Sequence, residues 1–360
     1  MIVTISRKES IIFFMKKILI LAMGCNEEFF RVEEAMIREQ CYAKHILAGV
    51  YENVDFWTYT ASSDDQVHIS RTNHKISVPC NDDIDHTWDK TRLTFQVLDM
   101  IGLEYDYIFR TNLSTWINVP YLIHFVEAIP DKDADRIFST MIQGVFNGSG
   151  PDVFSLYALG NSLLIPKKWV DIIKEVDVES LRRYDRTVDA VRGCDKENSI
   201  YHVDDNAIGF IINVYCEQHG ISPLDVWKSI KKCEHFDTKS IREHIHLDYI
   251  AVPFRMYYDD RKYEILFGKQ MQDYADEFET FFDDETPEEL YIRTTTPSLV
   301  TFARFRGSID KDEFLTVNSV FAERAMKDLE KFDYSPEKLT QHFRDKNKKE
   351  MYNNQTKNSL

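Results

Sequence analysis

The sequence predicts an α/β protein. Short strand-like apolar runs alternate with helix-length amphipathic stretches through the first two-thirds of the chain. No internal repeat competes with that reading. With 360 residues, 43% of them apolar, there is enough core for one large domain with an appendage or for two domains.

In chain order, residues 1–14 read as an upstream extension, with Met15 as a candidate start. The apolar runs at 11–14 and 18–23 are split by Lys16 and Lys17 and are too short to span a bilayer, so no membrane anchor is expected. Residues 18–23 form the first expected strand. Residues 54–59, 107–109, 137–140 and 162–165 follow as further strands. Between them, residues 28–47 have helix length, 90–101 put Leu93, Val97, Leu98 and Ile101 on one face, and 119–129 follow the same pattern. Helices flanking a mostly parallel sheet are the expected result.

After residue 265 the texture changes to a helical C-terminal extension, 266–343. It includes an acidic stretch at 273–289 and two helix starts written as a capping residue plus proline, Thr286-Pro287-Glu288 and Ser335-Pro336-Glu337. Residues 315–332 carry Val317, Phe321, Ala325, Leu329 and Phe332 at helical spacing. The tail at 344–360 lacks apolar residues to dock it and is expected to be disordered.

The formal charge of −16 and a pI near 5.2 oppose nucleic acid and anionic membrane surfaces as partners. Six cysteines lie scattered with no C-x-x-C pair, which argues for free thiols in a reduced compartment rather than a zinc or disulfide framework.

Two segments carry the chemistry. In YDYIFRTNLSTWINV, residues 105–119, a buried strand runs into a polar turn. In HVDDNAIG, residues 202–209, the adjacent carboxylates Asp204 and Asp205 precede a helix-like apolar run. A crevice at a strand's C-terminal end and a base near it are what a group-transfer enzyme on a nucleotide substrate needs. Adjacent aspartates before a helix also serve simply as N-caps.

Taken with their order along the chain, these segments resemble a divergent β1,3-galactosyltransferase/Fringe-type glycosyltransferase of the GT-A fold, a Rossmann-like architecture. The family's R-x-x-A-I-R-x-T-W segment is matched loosely by Arg31, Ala35, Ile37 and Arg38, with one extra residue and no tryptophan. VDFWTYTASSDD, residues 54–65, is similar to the second strand and its acidic end, which implies that Asp64 or Asp65 reads the nucleotide base. Lys90-Thr91 stand at the family's distance from Asn112. In that register RTNLSTWINV, residues 110–119, overlays K-T-D-D-D-V-F-V-N-V. YALGNSLLI, residues 157–165, resembles Y-P-x-G-x-G-Y-V-L, which lines the donor sugar pocket, and so implicates Gly160 and Asn161. DDNAIG, residues 204–209, overlays E-D-V-Y-V-G, which makes Asp205 the inherited catalytic base and Asp204 a donor-site residue. The resemblance covers residues 16–215 within an expected glycosyltransferase domain at 15–265.

The resemblance implies an inverting hexosyltransferase acting on a nucleotide-sugar donor and a glycan or lipid-linked acceptor. Most GT-A enzymes hold Mn²⁺ or Mg²⁺ on aspartates, but here Asn112, Leu113 and Ser114 replace the D-x-D carboxylates. In one reading the enzyme is metal-independent and a basic side chain, Arg110, Arg255, Arg261 or Lys262, neutralises the departing diphosphate. In the other, the fold binds nucleotide-sugar or glycan without turnover. His244 and His246 alternate as strand neighbours would, which makes His246 a metal candidate beside the plain structural reading. Arg31 and Arg38 are equally readable as surface ion-pair residues, and Lys90 as a solvated helix lysine. The sequon Asn112-Leu113-Ser114 inside the expected donor site, with no anchor, points to the cytoplasm.

Overall fold

The structure is a computed structural model that describes residues 15–83, 86–140, 142–146, 154–158, 160–176, 204–230, 249–253, 262–277 and 285–295. Its centre is an eight-stranded sheet in the order β11-β7-β10-β5-β1-β2-β4-β3. The strands are β1 (Ile18–Met23), β2 (Val54–Ser62), β3 (His68–Ser70), β4 (Lys75–Pro79), β5 (Tyr107–Asn112), β7 (Ile137–Ser139), β10 (Leu163–Pro166) and β11 (Trp227–Ser229). The expected mostly parallel α/β sheet is what the chain forms. β1 runs parallel to β2 and β5, and β2 parallel to β4. β10 runs against β5 and β7, and β3 against β4.

Apolar residues on both faces of the strands explain why helices cover the sheet on two sides. Leu19 and Leu21 of β1, with Trp57, Tyr59 and Ile108, face a core shared with α3 (Thr87–Ile101), α5 (Lys167–Glu175) and α6 (Asp204–His219). Ile18, Ile20 and Ala22, with Phe56, Tyr107 and Phe109, face a second core shared with α1 (Glu28–Gln40), α2 (Ala43–Leu47) and α4 (Val119–Ala128). The single helix expected over 28–47 is two helices, because Cys41 turns extended between them, with φ −118° and ψ −166°. Gly102 ends α3 in the left-handed region, φ 67°, which a residue without a β-carbon adopts at little cost.

Smaller elements complete the frame. β6 (Thr115–Ile117) pairs antiparallel with β12 (Ala251–Pro253), β8 (Ile142–Phe146) with β9 (Phe154–Ala158), and α7 (Pro223–Val226) leads into β11. The boundary expected near residue 265 falls inside α8 (Lys262–Glu277). Met271 of α8, and Leu290 and Tyr291 of α9 (Pro287–Thr294), are built into the second core. Trp116 donates its indole N–H to Gln272 at 2.7 Å, and Tyr291 donates its hydroxyl to Asp133 at 2.6 Å. The described part of the C-terminal extension is therefore packed against the sheet layer. The helix start at Thr286 has the reciprocal geometry of a capping box: its hydroxyl accepts the Glu289 N–H, and Glu289 accepts the Thr286 N–H. Residues 1–14, the helix at 315–332, the Ser335 start and the tail at 344–360 lie outside the described residues.

Candidate functional site

The chain winds outward from β1 through β2 to β4, then returns by α3 to place β5 on the other side of β1. Consecutive loops leave the sheet in opposite directions at that reversal, which opens a crevice at the carboxyl ends of β1 and β5. Met23 and Asn112 are register partners at those ends. The antiparallel β10 begins at the same edge, since Leu163 pairs with Arg110.

Strand alternation sets the direction of Arg110. It shares the parity of Ile108 and so points to the α3 and α6 side, where its side chain is fully buried. One guanidinium nitrogen, Nη2, meets Asp204 Oδ2 at 2.5 Å, and Nε donates to the Tyr59 hydroxyl at 3.3 Å. Tyr59 and Thr91 share a hydrogen bond of 2.9 Å, and Thr91 donates to Asp204 Oδ2 at 3.0 Å. Burial alone disfavours the charged Arg110, but the Asp204 carboxylate outweighs it and holds the guanidinium protonated above its ordinary value. Burial likewise pushes the Tyr59 phenol above its ordinary value, so it stays neutral as donor and acceptor.

Asp204 is the first residue of α6, and its backbone N–H donates to the Thr87 hydroxyl at 3.2 Å. Its expected partner, Asp205, follows in the first turn and accepts the Gly160 N–H on Oδ2 at 3.2 Å. A β-carbon on Gly160 would stand 2.6 Å from Arg110 Nη1 and 3.4 Å from the Asp205 β-carbon, so glycine is required by close approach. Arg110, Gly160, Asp204 and Asp205, drawn from three separate segments, are thus in direct contact. Asn161 joins them through its carbonyl, which accepts the Thr111 hydroxyl at 2.7 Å.

Lys90 is also at this edge. It is 3% exposed, not a solvated helix lysine, and its ammonium meets Asp82 at 2.5 Å and the Gly24 carbonyl at 3.2 Å. Asp82 also accepts the Asn26 N–H. Burial raises the Asp82 carboxyl, but Lys90 and the Asn26 N–H together hold it below its ordinary value. The knot ties the loop after β1 to the loop before α3.

The remaining expected residues are more dispersed. Asp64 and Asp65 are exposed just beyond the carboxyl end of β2. The Ser62 hydroxyl and His68 hold the Asp64 carboxyl below its ordinary value. Arg31 is exposed in the first turn of α1, whereas Arg38, two turns on, is drawn into Glu34, the Thr58 hydroxyl and the face of Phe56. Asn112 ends β5 and Ser114 lies in the turn after it, with Leu113 between them buried against the Gly24 region. The Asn112 side-chain oxygen is buried without a protein partner. His244, His246, Arg255 and Arg261 lie outside the described residues, and Lys262 opens α8.

The partners that sequence reasoning missed are Tyr59, Asp82 and Thr87, and Thr91 entered only beside Lys90 with no role of its own. Thr87 and Thr91 stand four apart on one face of α3, which was the one available signal.

The turn at Asn112–Ser114 offers an amide and a hydroxyl, a poor donor set for a hard divalent cation that prefers carboxylates. Of the carboxylates nearby, Asp204 is paired with Arg110 and Asp82 with Lys90, while Asp205 accepts the Gly160 N–H. Among the described residues no three His, Cys, Asp or Glu side chains group to hold a metal. No described helix is long and apolar enough to cross a membrane. A separate cavity of about 150 Å³, between α2, β6 and α8, is lined by Tyr42, Tyr51, Trp116, Asn118, Gln272 and Asp276.

No protein-family profile matches the chain. No curated protein matches it either. Among solved structures it is similar to one described as the crystal structure of a glycosyltransferase involved in the glycosylation of the major capsid of PBCV-1, with TM-score 0.36 and 11% identity over 71% of this chain and 99% of that chain.

Proposed function

We propose that the chain is a cytoplasmic, inverting glycosyltransferase that moves a sugar from a nucleotide-sugar donor to a hydroxyl of a glycan or lipid-linked acceptor without a divalent cation. One observation carries this reading. Segments that resemble the sugar-transferase motifs, far apart in sequence, meet at one sheet edge: Asp204 pairs with Arg110, Gly160 abuts Arg110 and donates its N–H to Asp205, and Lys90 closes the neighbouring loop.

Asp205 takes the proton of the acceptor hydroxyl. The oxygen's electron pair forms the new bond to the anomeric carbon as the bond from that carbon to the phosphate oxygen breaks. The leaving nucleoside diphosphate carries away that electron pair, and the anomeric centre inverts. General-base assistance of this kind contributes about 10²- to 10⁴-fold. Charge on the departing diphosphate falls to basic side chains. Arg31 is the exposed one on the first turn of α1, and Arg255, Arg261 and Lys262 are the further candidates from sequence.

The test follows hydrolysis of UDP-, GDP- and dTDP-sugars with Mn²⁺ or with EDTA, in wild type and in Asp205→Asn. Asparagine retains an oxygen for the Gly160 N–H, so the variant isolates the base from the fold. Turnover that survives EDTA and falls at least about 100-fold in the variant is the expected result. Turnover abolished by EDTA would move the charge neutralisation to a metal. Binding without turnover would favour the non-catalytic sugar- or nucleotide-binding reading, which the loss of the D-x-D carboxylates favours, and no binding at all would remove the sugar-transfer reading.

A further inference from the structure

A guanidinium at the centre of a sheet layer is an expensive choice. Arg110 occupies a position that continues the row of Ile108, on the face where Leu19 and Leu21 are apolar. Buried ion pairs are weak contributors to stability, and apolar replacements of similar volume are often tolerated. The pair therefore calls for an explanation other than stability alone.

Its connections supply one. Arg110 Nε, the Tyr59 hydroxyl, the Thr91 hydroxyl, Asp204 Oδ2 and Arg110 Nη2 form a closed ring of contacts, from 2.5 to 3.3 Å, joining β5, β2, α3 and α6. Thr87 adds a third tether on Asp204 by accepting its N–H. The first residue of α6 is thus fixed from three directions. The remaining nitrogen, Nη1, is buried with no hydrogen-bond partner and abuts Gly160, whose N–H is the donor to Asp205.

We infer that the Arg110–Asp204 pair is a positioning device for Asp205, and that Arg110 is not a contact to the donor diphosphate. It fixes the first turn of α6 on one side and the seat of Gly160 on the other, so that the neighbouring carboxylate is held in one orientation at the crevice. Full burial of the Arg110 side chain denies a phosphate any surface on it, and Asp204 already takes its charge. The inference rests on Asp205 as the base, but the lock itself does not.

The experiment uses the full chain with Arg110→Met, Asp204→Asn and the double variant. It reads donor kcat and KM, the thermal midpoint, and hydrogen exchange of the Gly160 amide by selective glycine labelling. Arg110→Met should speed Gly160 exchange at least about tenfold as its acceptor loosens. It should also lower kcat about 100-fold with KM within about threefold, the signature of a misplaced group. The double variant has no unpaired charge and should regain stability over Arg110→Met but neither kcat nor Gly160 protection. Recovery of kcat along with stability would make the pair merely structural and overturn the inference. A raised KM with kcat intact would make Arg110 a donor contact and overturn it too. Should Arg110→Met fail to fold, Arg110→Lys, which keeps the charge and loses the fork of donors, is read by the same criteria. If wild type turns over no donor, faster Gly160 exchange in the variant upholds the lock while the transferase reading falls, and unchanged exchange overturns the lock.

Discussion

Replacing Gly160 by alanine tests the packing at the centre of the candidate site. The new β-carbon would lie 2.6 Å from Arg110 Nη1, whereas ordinary contact begins near 3.4 Å, so the guanidinium must retreat by about 0.8 Å. It has little room to do so, because Asp204 holds it at 2.5 Å and Tyr59 at 3.3 Å. Overpacking of a filled interior costs about 1–3 kcal/mol. The backbone at Gly160 is not in the left-handed region, so alanine regains about 0.4–1 kcal/mol by restricting the unfolded chain. The two ranges leave a net loss centred near about 1.3 kcal/mol, read as a lower urea midpoint by tryptophan fluorescence; Trp88 and Trp227 lie in the same core. Donor turnover should fall further than stability does, by about 100-fold, because the displaced N–H no longer meets Asp205. A variant that matches wild type within about 0.5 kcal/mol and keeps its turnover would refute the close approach and the reasoning built on it.

Two further predictions concern charges held at other points of the frame. Lys90→Met strands Asp82 beside a carbonyl that has lost its donor; because the Asp82 side chain is 20% exposed, the expected loss is about 1–3 kcal/mol, partly recovered in Lys90→Met/Asp82→Asn by thermal melting. No recovery in the double variant would mean the two charges are not coupled. For Glu34, burial raises the carboxyl, but the Lys75 ammonium, the Thr58 hydroxyl and Arg38 together bring it below its ordinary value of 4.5. A depressed folded value contributes stability that is present above pH 4.5 and lost as pH falls through the folded value. Glu34→Gln should therefore lower stability at neutral pH and flatten the acid limb of a stability-versus-pH curve below pH 4.5, and an unchanged acid limb would contradict the geometry.

The elements legible in the sequence were those whose local signal agrees with their burial. β1 and the apolar starts of β2 and β5 are buried on both faces, and α3 carries Val97, Leu98 and Ile101 on its inner side, so apolar pattern predicts them, whereas the polar ends of β2 and β5, Arg110 to Asn112 among them, carry no such signal. β3 and β6, three residues each, are too short to show a period, and β3 lies on the sheet edge with exposed side chains. The break at Cys41 was invisible because neither glycine nor proline marks it. Asp204 and Asp205 stood out as a pair, but nothing local separates their roles. Only the fold turns one carboxylate inward onto Arg110 and the other toward Gly160. The same holds for Lys90, whose helix position reads as solvent until Asp82 folds over it. Arg38 reads like Arg31, and seven residues apart they share a helix face; the two part company because only Arg38 meets Glu34, the Thr58 hydroxyl and the ring of Phe56.

The reversed direction of β10 has a consequence for how the domain can be divided. Its start delivers Gly160 to the edge where β5 ends, and the counter-charge for β5 arrives later still, on α6. A fragment ending before residue 204 would lack both the anion that pairs with Arg110 and the helix that packs over that face of the sheet. Ribosomal synthesis must reach α6 before Arg110 can meet its carboxylate partner, so that pairing and the seating of the candidate base arrive together.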